Sequence, residues 1–111
     1  MKRIETIIKP SSVDAVHEAL TAAGITGLTL SDVRTKGAQK SRMLYRGNEY
    51  EVDLMPKVRL EILVPNDRVN RAVKVIRSVA RSAHLGDELG TILVFPVEEA
   101  HSVFSLATTV G

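Results

Sequence analysis

The sequence predicts an α+β domain whose elements run strand, helix, strand, strand, helix, strand. Three observations carry that prediction. Two helix-period segments each follow a short apolar run that ends in proline, at Pro10 and at Pro65. In the run from Lys57 to Val64, Val58, Leu60, Ile62 and Val64 alternate with Lys57, Arg59 and Glu61. Such a period of two is the pattern of a strand with one buried face. Two further runs, Leu28–Arg34 and Thr91–Val97, are rich in β-branched and apolar residues.

In chain order, the first strand is expected over Arg3–Lys9. The helix after it opens at Pro10, with Ser11 or Ser12 as its cap and Asp14 in the first turn. Val13, Val16, Ala19, Leu20 and Ala23 recur at spacings of three and four, and Gly24 marks the stop. The second helix opens at Pro65 with Asn66 or Asp67 as its cap. Val69, Ala72, Val73, Ile76 and Ala80 form its apolar stripe. Arg71, Lys74, Arg77 and Arg81 fall on the other face and read as a solvated surface. The two strand-to-helix junctions resemble one another, IETIIKP at 4–10 against LEILVP at 60–65. This order is the split βαβ, ferredoxin-like plan: a four-stranded antiparallel sheet with both helices on one face. Leu63, Leu93 and Phe95 are then left on the open face, and an apolar sheet face points to self-association.

Composition bounds the function. A chain of 111 residues with 44% hydrophobic content makes one domain, residues 1–111. It has no cysteine, so disulfides and thiolate chemistry are excluded. No apolar run reaches the roughly 20 residues that cross a bilayer, and no signal-peptide core follows Met1, so a cytoplasmic setting is expected. The net charge of +2 does not call for nucleic acid. The strands Arg3–Lys9 and Val58–Val64 also lack aromatic residues for base stacking, which argues against an RNA-binding module. His17, His84 and His101 lack ligand spacing, so no metal site is expected on them. No Ser/His/Asp set or carboxylate pair suggests an enzyme.

One feature exceeds a bare scaffold. The connection between the second and third strands, roughly Thr35 to Asp53, is far longer than the usual 4–6 residues. Lys36, Lys40, Arg42 and Arg46 come first in it, then Glu49, Glu51 and Asp53, and it holds both tyrosines, Tyr45 and Tyr50. It reads either as a hairpin extension or as an arm that engages a partner through an exposed tyrosine. A second glycine-bearing stretch, His84–Gly90, precedes the last strand. Glycines there would let backbone N–H groups approach an anion.

The strings IETIIKP at 4–10 and GITGLT at 24–29, Gly37-x-Gln39-Lys40, Tyr45-Arg46-Gly47-x-Glu49-Tyr50, Pro56-Lys57-Val58 and the Gly86-Asp87 turn together resemble the PII signal-transduction proteins. The resemblance covers essentially residues 1–100. It implies a trimer that binds ATP or ADP in clefts between subunits and, with ATP and Mg²⁺, 2-oxoglutarate. It also implies a T-loop at about 36–52, a B-loop at about 82–90 and a C-terminal loop at 98–111. The T-loop would dock on a membrane transporter or metabolic enzyme. Carried over residue by residue, Thr29, Gly37, Gln39, Gly86, Asp87 and Gly90 are the expected nucleotide contacts, and Gln39, Lys40 and Lys57 those of 2-oxoglutarate. Tyr50 falls where many members are uridylylated. Tyr45, Arg46 and Gly47 are the expected partner contacts.

Departures from the family pattern gather around the phosphates. Ala38 stands at an arginine position before the T-loop, Thr91 at the phosphate lysine of a B-loop lengthened by Glu88 and Leu89, and Ser102 and Phe104 at paired arginines of the C-terminal loop. Four cations are thus absent and Glu88 adds an anion. A charge-assisted hydrogen bond contributes about 1.5–3 kcal/mol, so the pattern predicts weak ATP binding and leaves ADP, AMP or another ligand open. Two readings compete: a nitrogen-metabolism sensor of the usual kind, and a divergent PII-like regulator acting outside nitrogen control.

Overall fold

The computed structural model describes residues 1–36, 41–45, 48–52, 54–83, 90–105 and 108–110. Its eight strands are β1 (Lys2–Ile8), β2 (Thr29–Thr35), β3 (Ser41–Tyr45), β4 (Asn48–Val52), β5 (Met55–Val64), β6 (Ile92–Pro96), β7 (Glu99–His101) and β8 (Thr108–Val110). Helix α1 spans Val13–Ala22 and α2 spans Val69–Ala83. The main sheet has the order β2-β5-β1-β6, with every neighbouring pair antiparallel. This is the expected split βαβ sheet.

The alternation read from the sequence is the alternation of the sheet. Ile4 and Ile8 on β1, with Val58, Leu60, Ile62 and Val64 on β5, are buried in one cluster with Val16 and Leu20 of α1 and Ala72 and Ile76 of α2. Ile4 pairs with Ile62 and Ile8 with Val58, so the two central strands present a continuous apolar surface to the helices. Thr6 is the polar exception on that surface. Its hydroxyl donates to the carbonyl of Thr91 at 3.0 Å, which satisfies it and ties the entry of β6 to β1.

Both helices start later than the sequence suggests. Short 3₁₀ turns, Pro10–Ser12 and Asn66–Arg68, come first. Serine, Asn66 and Asp67 side chains do not cap them. The Ser12 N–H donates to the Lys9 carbonyl at 2.9 Å and the Arg68 N–H to the Pro65 carbonyl at 3.0 Å, so the backbone closes each first turn. Proline suits the start of such a turn because it has no N–H to leave unsatisfied. The exit of α1 is as expected. Gly24 has φ +80°, its N–H donates to Thr21 O, and the Ile25 N–H donates to Leu20 O at 2.9 Å. This is a Schellman motif, and its apolar partners, Leu20 and Ile25, are both in the core. Arg68 Nη1 donates to the Gly24 carbonyl at 3.1 Å, which links the end of α1 to the entry of α2.

Pro56 lies inside β5, a central strand, yet breaks no rule. The β1–β5 ladder ends at Ile8 and Val58, so Pro56 has only β2 beside it.

The open face differs from the expected apolar one. Leu63 and Leu93 are exposed at 54% and 46%. The register, however, sets Arg3 between Leu63 and Phe95, and Glu5 between Glu61 and Leu93. The Arg3 guanidinium lies 4.4 Å from the centre of the Phe95 ring, and Arg59 pairs with Glu5 at 3.1 Å. The same period of two that buries Ile4 and Leu60 places the charged residues of β1 and β5 among these leucines.

Chemical denaturation is expected to show Ile4→Ala and Leu20→Ala each lowering stability by about 2–5 kcal/mol, because both side chains are fully buried. Gly24→Ala is expected to cost roughly 1–2 kcal/mol for a left-handed backbone. It should cost more than Gly27→Ala, because an added Cβ meets Arg68 Nη1 at 3.0 Å at Gly24 and nothing within 4 Å at Gly27.

Candidate functional site

The long β2–β5 connection contains a hairpin of its own. β3 and β4 pair only with each other, with Arg42 opposite Glu51, Met43 opposite Tyr50 and Tyr45 opposite Asn48. Arg42 from the basic half of the connection thus lies on β3, and Glu49 and Glu51 from the acidic half lie on β4, with Arg42 and Glu51 at one register position. Tyr45 and Tyr50 sit on opposite strands of this arm. Arg46 and Gly47 join the strands and lie outside the described residues, as do Gly37, Ala38, Gln39, Lys40, Gly86 and Asp87.

The remaining candidate residues are spread across the main sheet, on β2, on β5 and at the entry to β6. Thr29 opens β2 opposite Glu61, and Lys57 stands on β5 opposite Val33. They share the open face, four ladder positions or ~13 Å apart at the usual rise per residue. Thr29 is exposed, whereas Lys57 is only 8% exposed. A largely buried ammonium needs polar company, and Lys57 has an interaction partner. Gly90 and Thr91 lie at the opposite edge, at the entry to β6. From β2 to β6 the sheet is three strand spacings wide, roughly 14 Å. Thr29 therefore stands at the opposite edge of the sheet from Gly90 and Thr91, with Lys57 on the inner strand β5.

The positions lacking the family's cations show what replaces them. The Thr91 carbonyl is held by Thr6, and its side chain is exposed. Ser102 Oγ accepts the N–H groups of Phe104 and Ser105 at 3.1 and 3.2 Å, so it braces its own turn. That turn projects Val103 and Phe104 almost wholly into solvent, at 91% and 99% exposure. The described residues at these positions supply hydroxyls, backbone and an aromatic ring. They do not fit a triphosphate, whose oxygens call for guanidinium or ammonium groups. Thr6, which sequence reading did not single out, is the positioning residue here. Its one signal was a hydroxyl at an inward strand position.

Of the histidines, His17 is exposed on α1, His101 lies 3.6 Å from Glu99, and His84 is outside the described residues. Among the described residues no three metal-ligating side chains cluster, and no helix is long and apolar enough to cross a membrane.

Comparison with known proteins assigns this architecture. The family described as nitrogen regulatory protein P-II matches residues 1–104. A nitrogen regulatory protein P-II of Cereibacter sphaeroides is 48% identical over 101 residues, covering 90% of this chain and 88% of the relative. Nitrogen regulatory protein P-II 1 of Escherichia coli strain K12 is 49% identical over 98 residues, covering 87% and 86%. The Haemophilus influenzae protein of the same description is 46% identical over 101 residues. With the βαββαβ sheet, the matching span and these identities together, the chain belongs to the nitrogen regulatory protein P-II family.

Proposed function

We propose that the protein is a cytoplasmic regulator, not a catalyst, which works as a homotrimer. It senses an adenine nucleotide, with 2-oxoglutarate as a second input, in clefts between subunits. It passes that occupancy to a transporter or metabolic enzyme of nitrogen metabolism through the β3–β4 arm. One observation supports this most directly: Thr29 lies on the β2 edge of one chain, and Gly90 and Thr91 lie at its β6 edge. A site built from both edges needs the β2 edge of one copy against the β6 edge of the next. Ligand bound in such a cleft touches the base of the arm, because β2 and β5 are the strands from which the arm departs. Regulation then requires the ligand to bind one arm posture better than another. Gln39, Lys40 and Lys57 are the proposed 2-oxoglutarate contacts, and Gln39 is the residue that would help to hold Mg²⁺, which would supply positive charge for the carboxylates. Tyr50 is the proposed modification point, where a bulky anionic group would keep the arm out of a tight socket.

The turn at Ser102–Phe104 favours a second reading. Without its cations the cleft suits a less charged adenine nucleotide than ATP, and the regulator would serve a target outside nitrogen control.

Limited trypsin digestion tests the sensing step, since Lys40, Arg42 and Arg46 offer cleavage points in the arm. ATP, ADP or AMP, with and without 2-oxoglutarate, is expected to change the rate of cleavage there. A rate indifferent to all of them, with no heat of binding by calorimetry, would overturn the proposal. Restoring cations by Ser102→Arg with Phe104→Arg is expected to tighten ATP binding by about 10- to 100-fold, and AMP binding by much less. Equal gains for both nucleotides would show that these positions do not face the phosphates.

A further inference from the structure

Helix α2 carries a second feature, independent of the ligand cleft and of the arm. Residues Val69–Ala83 include no Asp or Glu. Ala72 and Ile76 anchor the inner face in the core, while Asn70, Arg71, Lys74, Arg77 and Ser78 are exposed. At 100° and 1.5 Å per residue, Arg71, Lys74 and Arg77 occupy one arc of ~120° and climb ~4.5 Å per step. Arg81 follows four residues later in the sequence. Among the described residues the ion pairs are Arg3–Glu61, Arg59–Glu5 and His101–Glu99, and none involves these three cations. Residues 68–81 hold five of the chain's fifteen lysines and arginines and no acid, leaving ten against thirteen elsewhere.

This stripe does not help the helix. Like charges three and four residues apart repel, and Arg71, in the first turn, opposes the helix dipole. Carboxylates interspersed among these cations, with one in the first turn, would relieve both effects. The neighbouring helix has them: α1 exposes Asp14 and Glu18. The outer helix layer therefore carries an acidic row beside a basic one. A broad anionic surface, such as a lipid bilayer or a nucleic-acid duplex, would lie over both rows and meet repulsion from Asp14 and Glu18. A narrow acidic partner seated along α2 alone would not. Among the described residues, those exposed on α2 include no aromatic or aliphatic side chain to stack on bases or enter lipid.

We infer that the outer face of α2 is a docking strip for an acidic segment of a partner protein, with carboxylates about one helical turn apart. It would steer and orient that partner while the arm makes its own contacts. Charge complementarity of this kind acts mainly on encounter and register.

Fluorescence anisotropy tests it on the whole protein. The probe is a labelled, capped helical peptide of about 15 residues with glutamates at alternating spacings of three and four. Binding is expected at low salt and should weaken steeply at about 200 mM salt. Arg71→Glu with Arg77→Glu should lose at least ~10-fold in affinity, and Arg71→Gln with Arg77→Gln should lose less. Lys2→Glu with Arg34→Glu, the same change in net charge placed on the sheet, should stay within about twofold. An unchanged melting temperature shows that each variant is folded. The inference is overturned if the α2 reversal binds the peptide like the unaltered protein. It is equally overturned if phosphatidylglycerol vesicles or a DNA duplex bind α2 more tightly than the peptide does, or if the reversal changes the sedimentation coefficient, which would make this face a contact between copies. Tryptic cleavage of the arm reads the ligand response separately, so either result can fail without the other.

Discussion

The fold depends on one geometric constraint: β1 and β5 lie side by side at the centre of the sheet, and each must divide its residues between two environments. Ile4, Ile8, Val58, Leu60, Ile62 and Val64 go to the helices, and Arg3, Glu5, Arg59 and Glu61 go to the other side. Burying a large aliphatic side chain contributes about 1.5–3 kcal/mol relative to leaving it exposed. Sliding the ladder by one residue would reverse every assignment, exposing the isoleucines and burying unpaired charge. Register is therefore set by the whole row, and the edge strands and helices take their places from it.

The helix ends show how the chain leaves and re-enters this core. Two prolines end the strands and start 3₁₀ turns closed by backbone carbonyls, so the serines and Asn66 do not have to cap. Gly24 takes the left-handed conformation that a Schellman exit needs, which returns Ile25 to the core against Leu20. The Arg68 guanidinium then holds the Gly24 carbonyl from the start of the other helix. These local choices fix where β2 begins, and hence where Thr29 stands.

Membership of the P-II family and the departures within this chain bear on different parts of the molecule. Nearly half of the aligned positions are identical to those of relatives in the family. The positions expected to meet phosphate do not carry its cations, and at Ser102–Phe104 the structure shows a self-braced turn presenting an aromatic ring. The exposed charged residues of α2, Arg71, Lys74 and Arg77, are all positive.

Much of this was legible in the residues alone. The alternation at Lys57–Val64, the helical stripes at Val13–Ala23 and Val69–Ala80 and the prolines before them identify the elements and the core, because period and burial are local properties of the chain. The arm was legible as an over-long connection with ordered charge. Pairing across space was not: that Arg3 covers Phe95, that Thr6 holds Thr91, and that the leucines of the open face are interleaved with ion pairs all depend on strand order, which brings residues 3, 61 and 95 together. The separation of Thr29 from Gly90 and Thr91 is likewise a property of the assembled sheet. Sequence lists those residues without distance, and only the order β2-β5-β1-β6 sets them three strands apart.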